Sequence, residues 1–134
     1  MRKAVFVGTG YVIALVNEDD QHHAEALWLS DRYNDHPVVV TDAVLLEIGN
    51  ALSRFARLAA VQIIQDFRDS AGVTVVSLTP ELFDAGFALY QQHGDKQWGM
   101  VDCISFVVMR RLNLSTAFAF DQHFAQAGFC LPRR

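Results

Sequence analysis

Apolar positions along the chain switch between a strand-like and a helix-like period, and most switches fall at Gly, Pro, Asp or Thr. The run 3–7 is short, β-branched and aromatic, and it stops at Gly8-Thr9-Gly10, as a strand does on entering a tight turn before a helix. Helical spacing follows over 11–16. Asp20 offers N-cap chemistry for a second helix in which Ala24, Leu27 and Trp28 share a face. Pro37 then punctuates the chain, and 38–40 predicts a second strand. Thr41 and Asp42 supply N-cap chemistry for a helix over 43–57, with a stripe of Val44, Ile48, Ala51, Leu52 and Phe55 and with Glu47 beside it.

The second half repeats the alternation. A helix over 61–68 ends near Gly72, and 73–78 predicts the third strand. Thr79-Pro80-Glu81 is a strong helix start, combining an N-cap, Pro at the first helical position and an acid on the positive end of the dipole. That helix should stop at Gly94. Another runs over 100–112 to Asn113, which tolerates a left-handed cap. A fourth strand is expected over 116–120, with Asp121 directly after it, then a short helix to Gly128 and a last edge strand over 129–131. Strands separated by helices require right-handed crossovers. The expected architecture is α/β: a mostly parallel sheet of four to five strands flanked by helices, in a single domain spanning 1–134.

Composition agrees with one domain. The 134 residues are 51% hydrophobic with 8 Gly and 3 Pro, enough for a sizeable core without a linker. The net charge of -4 excludes a general basic surface for nucleic acid. An acidic chain still handles phosphates where cations and a local Arg patch offset the repulsion, and Arg54, Arg57, Arg110 and Arg111 are candidates for one. Cys103 and Cys130 lie in apolar segments and read as free thiols. The opening Met1-Arg2-Lys3 and the apolar stretch to Val16 mimic a signal peptide, but Gly8, Thr9 and Gly10 interrupt the run and no cleavage site follows. No run suits a membrane span, and a cytoplasmic location is expected.

Open parallel sheets bind ligands at the carboxyl ends of their strands. Position 8 follows the first strand and Asp121 the fourth, while Glu47 and Asp102 fall in the first turns of helices, so all four positions can meet at one edge. Clustered carboxylates repel one another unless a hard cation such as Mg²⁺ or Mn²⁺ compensates them, and those ions activate water for attack on a phosphodiester. The pattern thus suits a metal-dependent nuclease pocket. Taken singly, each acid has a plain structural use: Glu47 as a solvated helix residue, Asp102 as a dipole partner, Asp121 as an N-cap. His123, His22 and His23 read as surface or capping residues, because no His-x-x-x-His or Cys-x-x-Cys spacing accompanies them.

Three blocks join these acids into a pattern. They are Thr41-Asp42-Ala43-Val44-Leu45-Leu46-Glu47-Ile48-Gly49-Asn50-Ala51-Leu52, then Asp95-Lys96-Gln97-Trp98-Gly99-Met100-Val101-Asp102-Cys103-Ile104-Ser105-Phe106, and finally the stretch from Ala117 through Phe120-Asp121-Gln122-His123-Phe124 to Phe129. With the opening Phe6-Val7-Gly8-Thr9-Gly10-Tyr11 and the Asp20-x-x-His23-x-x-Ala26 segment, the chain resembles the PIN-domain ribonucleases over nearly its whole length, and in particular the VapC-type toxins of bacterial toxin-antitoxin pairs. The resemblance implies a PIN-like fold and Mg²⁺- or Mn²⁺-dependent cleavage of RNA. It implies Glu47, Asp102 and Asp121 as metal ligands or water-orienting acids, and Thr9 and Ser105 as accessory hydroxyls. Asp95 would be an accessory acid at the rim, or a turn residue after Gly94. The implied partners are a second copy of the chain and a small antitoxin that covers the groove.

The departure from the family pattern is at position 8, where the family's first acid, in Val-Asp-Thr, is replaced by Gly8. Losing one carboxylate from a site of about four weakens metal binding and misplaces the nucleophile, so activity is expected to be reduced. A noncatalytic RNA- or partner-binding domain is the alternative. Gly8-Thr9-Gly10 also matches the first two glycines of a dinucleotide-binding fingerprint, which fails at the third, where Ile13 stands.

Overall fold

The apolar run that opens the chain forms the centre of the sheet. In the computed structural model, which describes residues 2–134, the elements are β1 (Val5–Val7), α1 (Thr9–Val16), α2 (His23–Arg32), β2 (Val38–Thr41), α3 (Asp42–Leu52), α4 (Arg57–Asp69), β3 (Val73–Val76), α5 (Pro80–Gln92), α6 (Met100–Arg111), β4 (Ala117–Phe118) and α7 (His123–Gln126). All three residues of β1 are buried, as a strand covered on both faces must be. It pairs in parallel with β2 on one side and β4 on the other, giving the order β3-β2-β1-β4. The chain moves outward from β1 through β2 to β3, then crosses back over β1 to place β4. The carboxyl ends of β1 and β4 therefore flank the point where the strand order reverses, which is where open sheets of this kind form a crevice. The expected α/β fold with a parallel sheet is what the chain adopts.

Two threonine caps set the helices that leave β2 and β3. Thr41 is fully buried and its Oγ1 accepts from Val44 N at 3.2 Å, starting α3 directly off the strand. Thr79 does the same for α5 through Leu82 N at 3.1 Å, with Pro80 at the first helical position. The helices α5 and α6 then pack so closely that a Cβ at Gly86 would lie 2.6 Å from Ile104 Cγ1. Around α6, Trp98, Phe106 and Phe124 form an edge-on aromatic series with centroids 5.0 and 4.9 Å apart. This cluster fixes the start of α6 against the segment after β4.

Several expected boundaries move. The predicted helix over 43–57 ends at Leu52, its last buried residue; Ala51 and Phe55 of the proposed stripe are exposed, Phe55 by 65%. The chain tightens there, with Ser53 N and Oγ both donating to Asn50 O, and α4 starts at Arg57, before the expected 61. Asp20 does not cap α2. Its carboxylate accepts from His22 N at 2.8 Å in a side-chain turn, and the helix begins after His22. The fourth strand shrinks to Ala117–Phe118, its pairing with β1 ending at Val7–Phe118, and Ala119 O accepts instead from Arg133 Nη2 at 3.2 Å. The expected last strand is a single parallel bridge between Cys130 and Thr116. Asn113 does take the left-handed conformation after α6, at φ 56°.

Candidate functional site

The site grows from the ends of the two central strands. Gly8 leaves β1 in extended conformation (φ −95°, ψ 166°) and its N–H donates to Phe118 O of β4 at 3.1 Å. One residue on, the Thr9 hydroxyl donates to Glu47 Oε1 at 2.5 Å and links α1 to α3. Across the cleft, Asp102 lies in the first turn of α6, where its Oδ2 accepts from Gly99 N at 3.0 Å. Past β4, Asp121 Oδ1 accepts from His123 N at 2.9 Å. An open cleft of about 500 Å³ is lined by Gly8, Thr9, Glu47, Asp102, Ser105 and Asp121, among others.

Within this cleft the tightest grouping is Asp102, Asp121 and His123, one ligand-capable atom from each lying within 4.8 Å of the others. His123 Nδ1 is 2.9 Å from Asp102 Oδ2 and 3.8 Å from Asp121 Oδ1. Glu47 faces the same cleft from the other wall, held by Thr9. Sequence reasoning assigns His123 to the surface or to capping, and misses it as a member of the cluster. The available signal is the Asp121-x-His123 spacing beyond a strand end, which lets a side-chain turn carry both groups to one side.

The accessory residues divide. Ser105 is buried in the cleft wall and its hydroxyl donates back to Val101 O at 2.8 Å, leaving the oxygen as an acceptor. Asp95 lies in an adjoining polar depression with Lys96, Gln97, Gln122 and Gln126, which meets the main cleft at His123. Its exposed carboxyl is held below the usual range by the hydrogen bond from Lys96 at 3.1 Å. Beneath the acids, burial pushes the Cys103 thiol up, and the Asp102 charge adds to the effect. Both cysteines are free, as expected.

The Arg patch expected from sequence does not form at the cleft. Arg110 and Arg111 are at the far end of α6 from Asp102, about 12 Å along the helix axis. Arg111 is also paired with Glu81 at 2.6 Å. The cation at the cleft edge is Arg133, 5.4 Å from the centroid of Phe120, on which His22 stacks at 4.4 Å.

Two carboxylates and an imidazole nitrogen this close suit a divalent cation with oxygen and nitrogen ligands. The same charge opposes a pyrophosphate at the start of α1, which weighs against the dinucleotide reading. A Cβ at position 8 would stand 3.3 Å from Phe118 O, a tight contact with backbone, and 3.7 Å from the Phe124 ring, an ordinary one.

The PIN domain family model matches residues 5–129. The 23S rRNA-specific endonuclease VapC20 of two Mycobacterium tuberculosis strains is 34% identical over 128 residues, covering 93% of this chain and 95% of the relative. The crystal structure of M. tuberculosis VapC20, described as a sarcin-ricin loop cleaving toxin, superposes with a TM-score of 0.88 at 32% identity, covering 97% of this chain and 99% of that one.

Proposed function

Since the chain belongs to the PIN-domain family, we propose that it is the endoribonuclease toxin of a toxin-antitoxin pair, metal-dependent and impaired by Gly8. The observation that carries this reading is the convergence of Glu47, Asp102 and Asp121 on one cleft at the strand-order reversal. Residues 1–134 are read as one such domain, in keeping with the single contiguous core. The proposed substrate is ribosomal RNA, by analogy with the relative named for 23S rRNA.

In this reading Asp102 and Asp121 hold a Mg²⁺ or Mn²⁺ ion, with Glu47 as a ligand or as the acid that orients water. When bound, such an ion lowers the pKa of water and stabilises charge on the phosphoryl oxygens. The Thr9 hydroxyl fixes the Glu47 carboxylate, which would otherwise sample several rotamers as an exposed side chain. The Gly99 N–H fixes the Asp102 carboxylate through Oδ2, the oxygen that also faces His123 Nδ1. Ser105 offers an acceptor from the wall, and Asp95 serves the rim through the depression that shares His123. Arg133 and the His22–Phe120 stack supply a cation and an aromatic face for a polynucleotide at the edge.

Gly8 supplies no ligand, and its lost carboxylate raises the transition-state energy by roughly 3 kcal/mol, the scale of removing one preorganised electrostatic group. A noncatalytic RNA-binding domain is the second reading, favoured by this residue alone. The partners proposed are a second copy and an antitoxin. Exposed apolar residues on and beside α3 and α4 (Leu46, Phe55, Leu58, Val61) and on α5 (Phe83, Phe87, Tyr90) support such contacts. No helix among the described residues is long and apolar enough to cross a membrane, and the proposed site of action is the cytoplasm.

The test compares RNA cleavage by the chain and by Gly8→Asp, with Mn²⁺ and with chelator. The expected result is Mn²⁺-dependent cleavage at least about a hundredfold faster in Gly8→Asp. No cleavage by that variant, with its fold intact, would sink the nuclease reading.

A further inference from the structure

The nearest basic side chain to both cleft aspartates is an imidazole. Among the described residues neither Asp102 nor Asp121 has a Lys or Arg nitrogen within 4.0 Å; His123 Nδ1 is the basic atom beside both. The backbone N–H of His123 already closes the turn on Asp121, so the ring is not needed for capping. It is nonetheless turned with Nδ1 between the two carboxylates. We propose that His123 Nδ1 is itself a metal ligand, filling the coordination place that Gly8 leaves without a carboxylate, so that the site prefers Mn²⁺ and later first-row divalent ions to Mg²⁺. This rests on the metal-dependent reading above.

The spacing suits that role. Adjacent donors around an octahedral ion with bonds of about 2.1 Å are about 3.0 Å apart, and Nδ1 is 2.9 Å from Asp102 Oδ2. The second carboxylate lies 3.8 Å from the same nitrogen. In the free protein the ring nitrogen and the Asp102 carboxylate oxygen share a hydrogen bond at 2.9 Å, and the same two atoms would face a bound ion. Imidazole nitrogen binds borderline ions more strongly than the hard Mg²⁺ ion, which favours oxygen. A Cβ at position 8 would lie 3.7 Å from the ring of Phe124, next in sequence to His123, and Gly8 and His123 both line the cleft.

The test reads coordination directly, without RNA. Mn²⁺ is titrated into the full chain and followed by electron paramagnetic resonance, with pulsed detection of ¹⁴N coupled to the ion. The proposal expects ¹⁴N coupling in the chain as it stands, its loss in His123→Ala, and a fall of at least about tenfold in Mn²⁺ affinity in that variant. His123→Asp should shift the Mg²⁺-to-Mn²⁺ affinity ratio toward Mg²⁺ by about tenfold or more. Mn²⁺ binding without ¹⁴N coupling overturns the proposal even if His123→Ala folds poorly. If Gly8→Asp then cleaves RNA, the nuclease reading stands without it. Absence of Mn²⁺ binding by the chain and by Gly8→Asp overturns both.

Discussion

Thr9 Oγ1 donates to Glu47 Oε1 across 2.5 Å, joining the first turn of α1 to the second turn of α3 over 38 positions of sequence. Glu47 is exposed, so this bond orients a carboxylate more than it stabilises the fold. Thr9→Val keeps the shape and removes the donor. It should change stability by less than about 1 kcal/mol in urea unfolding. In the Gly8→Asp background it should slow RNA cleavage by about tenfold, a loss of about 1.4 kcal/mol. Unchanged cleavage would show that the hydroxyl does not position Glu47.

Gly8 is not required by its backbone. Its φ of −95° is open to any L residue, and the nearest atom to an added Cβ is Phe118 O at 3.3 Å. Gly8→Ala should therefore alter stability by no more than about 1 kcal/mol. A loss of several kcal/mol in thermal or urea unfolding would mean that the glycine serves the fold, and that the missing acid is a by-product of packing.

Asp102→Asn keeps the oxygen that accepts from Gly99 N and removes the charge. The variant should fold normally while losing its thermal response to Mn²⁺. For the unaltered chain, Mn²⁺ at a hundred times its dissociation constant should add about 2.7 kcal/mol of stability. Chelator should remove that gain. Equal thermal shifts in both proteins would place the ion elsewhere.

Gly86→Ala tests the contact between α5 and α6. The added methyl would meet Ile104 Cγ1 at 2.6 Å, and backbone atoms of Ile104 at 3.3 Å limit how far it can yield. A destabilisation of about 1–3 kcal/mol is expected despite the better helix propensity of Ala. A stabilised variant, measured by urea midpoint, would show that the two helices separate freely.

Cys130 is exposed and Cys103 is buried, with its thiol pushed above the usual range. A raised thiol pKa means less thiolate at any given pH, and thiolate is the reacting form. At pH 8 a thiol reagent should label Cys130 rapidly and Cys103 only on unfolding. Equal rates would mean that the start of α6 opens readily.

Much of the site is legible in the amino-acid sequence. Asp121 follows a strand end, while Glu47 and Asp102 lie in the early turns of α3 and α6, and the resemblance of their three sequence blocks to one family is what joins them into a pattern. The threonine caps at Thr41 and Thr79 are equally plain, because capping acts within three residues. The break after Leu52 is not. Phe55 continues the apolar period, yet its side chain is left in solvent, since the burial available to a helix depends on what lies opposite. Arg110 and Arg111 lie away from the cleft for a related reason: charge counts along the chain do not report the direction a helix runs.

The alternation of strands and helices, the caps at Thr41 and Thr79 and the place of Asp121 after β4 were determined by sequence alone, because each depends on a period or a hydrogen bond a few residues long. Only the tertiary structure decided which groups share the cleft. It turned His123 Nδ1 toward Asp102, 21 residues away, and brought Arg133 over Phe120. It also left Asp95 in the neighbouring depression. Such contacts depend on how α6 and the segment after β4 pack around Phe106 and Phe124, and that packing has no local signature.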